Sequence, residues 1–367
     1  MRTKILTTLG VVALAGVASY WTAAGVPVAA ADGGPQMTSI GSLTFGPDGV
    51  LFAADTQAAT VYALELGDKA SGGAAGTQAV DAIDQKIAAL LGTDAKEISI
   101  TDLVVHPRTR NAYIAVMRGQ GTASKPALLR VDGAGKIEVV SFENLKHTKV
   151  TLPNAPNAGT NPQRDPRQQS ITDMAFTDGR LYIAGLSNEE FASKLRAVKY
   201  PFATADNGTS VEIFHGNHGQ LETRSPVYAF LPYSINNQPH LVAAYLCTPL
   251  VKFPVSGLKP GEKVRGTTVA EFRAGNRPLD MIVYKKDGQD FLLMSNNSRG
   301  VMKIAAGGLA TAAPITTPVE TETGGIPYQT VATMRGVEQL DLLDAQNSIV
   351  IARGDAGVLN LDVVALP

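Results

Sequence analysis

Sulfur and charge are both scarce in this chain. Of 367 residues only Cys247 is a cysteine, so an intramolecular disulfide, a CxxC redox pair and a CxxCH haem attachment are all excluded. That thiol is left to be buried, modified, metal-bound or paired with another chain. Charged residues make up 18% and nearly cancel, to a net −1. The balance removes the electrostatic ground for nucleic acid or an anionic membrane surface as a partner. A Gly-rich phosphate loop, a G-x-S-x-G nucleophile elbow and an H-E-x-x-H metalloprotease signature are missing as well. Long apolar runs are confined to the N-terminus. There Arg2 and Lys4 precede an apolar stretch from Ile5 to Ala18, and Ala29-Ala30-Ala31 stands before Asp32 as a small-residue cleavage pattern. Residues 1–31 therefore read as a secretory signal peptide, with an uncleaved anchor as the alternative. The mature part is expected to be an extracytoplasmic monomer, periplasmic or secreted, with no membrane association after cleavage.

Turn formers, by contrast, are plentiful. Thirty-six glycines and 21 prolines accompany 44% hydrophobic residues, a mixture that suits an all-β chain better than a helical one. A chain of this length buries about three-quarters of its unfolded surface, so a core needs no metal or disulfide to form.

The strands recur in one frame. Ser99-Ile100-Thr101-Asp102-Leu103 returns as Ser170-Ile171-Thr172-Asp173-Met174 and, more loosely, as Arg277-Pro278-Leu279-Asp280-Met281. Each begins a strand, a turn and a second apolar strand such as Ala112-Tyr-Ile-Ala-Val or Leu181-Tyr-Ile-Ala-Gly. Units starting near Ser42, Val227 and Gln339 follow the same plan. Asp-Gly at 48–49, 178–179 and 287–288 is the favoured chemistry of tight antiparallel turns. Six such units, at a spacing of roughly 50–70 residues, predict one six-bladed β-propeller domain over 37–366, each blade of three to four antiparallel strands. Two departures stand out. The first unit shows no clear fourth strand; in its place, residues 80–91 carry helical spacing with Ile83, Ile87 and Leu90–Leu91 on one face. The last unit stops after its third strand, which suggests closure by a strand borrowed from residues 32–40. The segments 151–169 and 305–328 read as long surface loops.

This strand-turn-strand pattern resembles the broad NHL and SMP-30-like class of six-bladed propellers, over roughly residues 37–366. The class includes calcium-dependent lactonases and non-catalytic recognition modules. No diagnostic catalytic set matches here, so the resemblance implies architecture and no active site.

Propeller topology brings the starts of innermost strands, and the links between second and third strands, to one mouth of the central channel. Asp102, Asp173 and Asp280 start three such strands, with Gln339 and Asp341 near the equivalent place in the last unit. A ring of carboxylates suits a hard cation such as Ca²⁺; short acidic side chains also cap backbone N–H groups between blades. His215-Gly-Asn-His218-Gly-Gln-Leu-Glu222 lies in a link between units, and Cys247 ends the second strand of the next. Two imidazoles and a thiolate suit a transition metal, Zn²⁺ or copper, although a plain loop beside a buried thiol has the same spacing. Arg118, Asn188, Asn296, Asn297, Arg277, Arg335 and Arg353 fall on or near the same links, where guanidinium forks suit carboxylate or phosphate ligands and equally suit salt bridges between blades. Two functions follow. One is an exported propeller that binds a small ligand or protein partner at the channel mouth. The other is a metal-dependent lactonase- or esterase-type hydrolase.

Overall fold

The structure, a computed structural model, describes residues 33–68, 78–160, 165–247, 249–321 and 323–367; the expected leader over 1–31 lies outside them. The strands form six sheets arranged as the blades of a propeller, antiparallel except where Lys263–Arg265 pairs in parallel with Thr209–His215. Blade 1 takes Leu43–Phe45, Val50–Asp55 and Thr60–Glu65, and blade 2 takes Ile98–Val105, Ala112–Arg118, Lys125–Val131 and Ile137–Val139. Blade 3 runs through Asp173–Thr177, Arg180–Leu186, Ser193–Lys199 and Thr209–His215 to a short fifth strand, Gln220–Glu222. Blade 4 uses Val227–Ile235, Gln238–Tyr245, Pro249–Pro254, Thr267–Phe272 and Thr323–Gly325. Blade 5 is Pro278–Lys286, Gln289–Asn296, Gly300–Ala305 and Tyr328–Thr330; blade 6 is Val337–Leu342, Asn347–Arg353 and Leu359–Ala365.

Local chemistry sets the hairpins. Asp178-Gly179 and Asp287-Gly288 have positive φ at both residues and connect directly paired strands, Thr177 opposite Arg180 and Lys286 opposite Gln289. This is the turn whose twist matches that of the strands it joins. Asn236-Asn237 does the same between Ile235 and Gln238. Asp48-Gly49 is also left-handed but sits in a longer loop, since Phe45 pairs with Leu51.

The second and third strands of each blade are apolar on both faces because a neighbouring blade covers each face. Six apolar clusters fill the six junctions, and their membership gives the ring order. Blade 1 shares a cluster with blade 2 and another with blade 3. Blades 3 and 4, 4 and 5, and 5 and 6 share the next three, and blades 6 and 2 share the last. Going round the axis the order is therefore 2, 1, 3, 4, 5, 6. The chain lays down three strands of blade 1, steps back to build all of blade 2, and then returns. His147–Thr151 pairs with Thr60–Glu65 and completes blade 1. This is the fourth strand the first unit was expected to lack.

Closure also differs from the expected borrowed strand. Residues 33–40 contribute no strand; they are tied down by Asp55, whose buried carboxylate accepts from the Thr38 and Ser39 amides and hydroxyls. Blade 6 stays three-stranded, and the helix Ile83–Leu91 seals it against blade 2. Ile83 and Ile87 are fully buried in their shared cluster and Leu91 packs on it, whereas Leu90 points outward, 47% exposed. Val80 and Leu361 exchange backbone hydrogen bonds of 2.7 and 3.0 Å across the seam. The 305–328 segment is more structured than expected too, since it supplies Thr323–Gly325 to blade 4 before Tyr328–Thr330 joins blade 5. Among the described residues no helix is long and apolar enough to cross a membrane.

The closure at blade 6 is testable by cross-linking. Partners that exchange both backbone hydrogen bonds hold their Cα atoms about 5.5 Å apart, within disulfide range. In a Cys247→Ser background, Val80→Cys with Leu361→Cys should give a linked species on mild oxidation or with a short bis-thiol reagent, seen as a shift on a non-reducing gel. Absence of any linked product would contradict the docking of the segment before the helix on the outer strand of blade 6.

Candidate metal centre

Two of the constellations expected from the sequence are assembled, in different places. The first surrounds the axis. Bulges at Ile100/Asp102 and Pro278/Asp280 turn the innermost strands so that these aspartates face the centre. Each carboxylate clips its own strand to the next. Asp102 accepts from the Leu103 amide at 2.8 Å and the Leu43 amide of blade 1 at 2.5 Å. Asp173 accepts from Met174 and from Phe230 of blade 4, both at 2.7 Å, and from Ser42 Oγ at 3.2 Å. Asp280 joins Met281 to Leu340, and Asp341 joins Leu342 to Val105. All four run in one direction round the ring, which is the backbone-capping role weighed beside the cation in the sequence.

These carboxylates line an axial cavity of about 540 Å³ with Phe45, Phe176 and Phe230, and no Lys, Arg or His is in its lining. Burial raises Asp173 to about 7 and Asp341 to about 6. Burial, then the charge of Asp280, raises Asp102; burial, then Asp173 and Asp341, raises Asp280. The aspartates feel one another across the channel, yet their oxygens do not gather into a common ligand shell.

The seven polar residues expected at the mouth are dispersed among local partners. Asn296 is buried, bonding Asn276 and capping the Ser298 and Arg299 amides; Asn297 Oδ1 accepts from the Arg277 amide. Arg277 lies 5.7 Å from the Tyr228 ring. Arg353 pairs with Glu338 at 2.6 Å, and Arg118 reaches Gly92 O at 3.3 Å. The Asn188 amide donates to Asn154 O, and Arg335 is exposed. None of the seven lines the axial cavity.

The second constellation lies away from the axis, between the outer part of blade 3 and blade 4. Among the described residues, His215, His218 and Cys247 form the one group of three or more candidate ligands whose donor atoms lie within 4.8 Å of one another. His215 ends the outer strand Thr209–His215, and the turn to Gln220–Glu222 folds His218 back onto it, ring centroids 3.8 Å apart. Cys247 sits in the turn after Gln238–Tyr245 with φ of 62°, a left-handed conformation costly for a side chain with a Cβ. Its amide is held by Asn276 O at 2.8 Å.

Two carboxylates complete the surroundings. Glu222 Oε1 lies 2.6 Å from His218 Nδ1 and 3.1 Å from His215 Nδ1, and Oε2 accepts from Ser225. Burial pushes Glu222 up, but the contacts with His215, Ser225 and His218 outweigh it and hold the carboxyl well below its usual range. Glu271, in Thr267–Phe272, goes the other way. Burial raises it to about 8, the Gly216 amide opposing and the Glu222 charge adding. Both ring nitrogens of His215, itself buried, lack a well-formed hydrogen bond, and so does Glu271 Oε2. Buried polar atoms are rarely left in that state. Gly216 is required at this spot: a Cβ would lie 2.8 Å from Val319, 3.0 Å from Ile315 and 3.2 Å from Glu271. Sequence reasoning reached the histidines and the thiol but missed Glu271. The available signal was a lone carboxylate inside the apolar run Thr268-Val-Ala-Glu-Phe272.

Comparison with known proteins adds little to the fold. No protein-family model matches the chain, and no curated protein matches it, so the likeness to the NHL and SMP-30-like class stops at the six-bladed architecture. Among solved structures, the extracellular domains 1-2 of Drosophila Semaphorin 1b are similar at 9% identity and a TM-score of 0.38, over 91% of this chain and 86% of that one. Nothing further is drawn from that likeness.

The axial clips make a pH prediction. A carboxyl raised from 3.8 to about 7 on folding, as Asp173 is, adds stability that is complete below the unfolded value and lost as pH climbs through the folded one. Asp173→Asn cannot ionise. Between about pH 5 and about pH 8 the melting temperature of the variant should change less than that of the wild type, by roughly 2–6 °C. Parallel curves would show that Asp173 does not titrate in the folded state.

Proposed function

We propose that this chain is an exported binding propeller whose ligand is a transition-metal ion, held by His215, His218 and Cys247 at the junction of blades 3 and 4. One observation carries the reading. Two imidazoles and a thiol have donor atoms within 4.8 Å of one another, and Nε2 of the buried imidazole has no hydrogen-bond partner. Imidazole and thiolate donors select Zn²⁺ or copper over Ca²⁺ or Mg²⁺. The expected leader agrees with this reading: in an oxidising compartment a lone thiol is exposed to oxidation, and ligation protects it. The axial ring is the weaker metal candidate, because its carboxylates are occupied by backbone amides. A metal-dependent hydrolase is the second reading. Glu271 favours it, since a carboxyl beside a metal-bound water is the arrangement general acid–base catalysis needs.

Titration of metal-free protein with Co²⁺ or Zn²⁺ should show a single saturable site. The Co²⁺ form should display a thiolate-to-metal charge-transfer absorption that Cys247→Ser abolishes. His218→Ala should weaken binding at least about tenfold, and Asp173→Ala should leave it unchanged. Saturation that survives both Cys247→Ser and His218→Ala would reject the site.

A further inference from the structure

We propose that the junction of blades 1 and 3 holds a small monovalent anion, a halide, against the guanidinium of Arg196. The site is separate from the candidate metal centre and does not depend on it.

The strand Ser193–Lys199 puts charge where neighbouring blades otherwise meet through apolar side chains. Lys194, Arg196 and Val198 alternate onto one face of it. Val198, and Ile183 opposite Arg196, belong to the apolar cluster shared with blade 1. Arg196 is only 1% exposed. Its Nε and Nη1 have no hydrogen-bond partner, and Nη2 reaches only Pro153 O, at 3.5 Å. Burial brings its pKa down to about 10, the charges of Glu189 and Asp206 opposing, so the group keeps its proton at neutral pH. A buried cation with no carboxylate bonded to it and two nitrogens unused is costly and rare.

The charges nearby do not supply the missing counter-ion. Lys194, buried on the same face, donates to Glu189 Oε2 at 2.6 Å and to Ser210 Oγ at 2.8 Å. The other oxygen of Glu189 accepts from Asn154 Nδ2 at 2.8 Å. Asp206 is exposed, and its Oδ1 accepts from the Gly208 amide at 2.7 Å. Two buried cations thus share one carboxylate that is already committed, which leaves a single positive charge in excess. A buried water would accept the unused N–H groups and leave that charge uncompensated, whereas a monovalent anion answers both needs.

Cover sets the size of the occupant. The backbone at Gly208 comes so close that a Cβ there would stand 2.5 Å from Arg196 Cγ. The segment that follows the outer strand of blade 1 also closes on this corner: Pro153 supplies its carbonyl, and Asn154 bonds Glu189 and, at 3.3 Å, Asn207. Behind such cover the guanidinium offers no open mouth to a ligand with an organic tail, which restricts the occupant to a small inorganic anion. A halide carries the single charge that the count requires.

The experiment is thermal melting at constant ionic strength, with sodium chloride exchanged stepwise for sodium gluconate, whose anion is too bulky to enter. The melting temperature of the wild type should rise with chloride and saturate, by roughly 2–6 °C, and bromide should act in the same way. Arg196→Met removes the charge from an unbranched side chain and should abolish the chloride dependence. Should that variant fail to fold, wild-type crystals soaked in bromide decide the matter, with an anomalous peak expected within hydrogen-bond distance of Arg196 Nε or Nη1. A wild-type melting temperature indifferent to chloride, a dependence that Arg196→Met retains, or a water at that position with no anomalous signal each overturns the proposal.

Discussion

A sheet of three or four strands has two faces and too little chain of its own to cover either, and the whole molecule is organised by that shortage. Every apolar cluster is shared between two blades, so no blade has a core of its own. Cover is obtained by going round an axis until the last face meets the first, which leaves one seam to be closed. Many rings close it with a strand from the far end of the chain. Here the seam lies between blades 6 and 2, where a helix packs into their shared cluster and Val80 bridges to the outer strand of blade 6. Ile83 and Ile87 bury what a strand would otherwise have covered. Blade 1 can stand away from the seam because a strand from beyond blade 2 returns to it.

Shared cores press the blades together but say little about their stagger. That is the task of the axial aspartates. Each takes one amide from its own strand and one from the next, so radial packing is tied to a fixed axial register. Burying carboxylates about one axis has a cost, visible in the upward displacement of all four, and repulsion between them adds to it at Asp102 and Asp280. Charge-assisted bonds from amides on two strands offset it. The same bonds explain why the ring is a poor ion trap: oxygens directed at backbone amides are not free to turn inward.

Much of this was legible in the residues and some was not, for a physical reason. Turn chemistry and strand alternation are local, so the blades and the Asp-Gly hairpins at 178–179 and 287–288 could be read directly. Ring order is not local. His147-Thr-Lys-Val-Thr151 has only Val150 to mark it as a strand, because an outermost strand faces water along much of its length. Nothing in its composition says that it belongs with residues 60–65. The helix was visible through the 83, 87 and 91 positions, whereas its role as a seal depends on which blade meets it. Of the site, His215, His218 and Cys247 were found because rare residue types draw attention in a chain with five histidines and one cysteine. Glu271 was hidden among 33 acidic residues.

Placing the centre between blades, instead of at the axis, has a consequence for how it can work. Its candidate donors come from the end of the strand Thr209–His215 in blade 3, the turn that follows it and the turn after the second strand of blade 4. An ion there would bridge two sheets already joined by apolar contact, by one end of the Asp173 clip, by the parallel pairing of Thr209–His215 with Lys263–Arg265 and by the Thr268 hydroxyl, which donates to Phe214 O. The left-handed backbone of Cys247 and the buried, unpartnered His215 Nε2 and Glu271 Oε2 each carry a cost. A cation bound here would give the buried imidazole a partner, whereas the backbone at Cys247 would keep its own cost, because ligation through Sγ leaves φ unchanged.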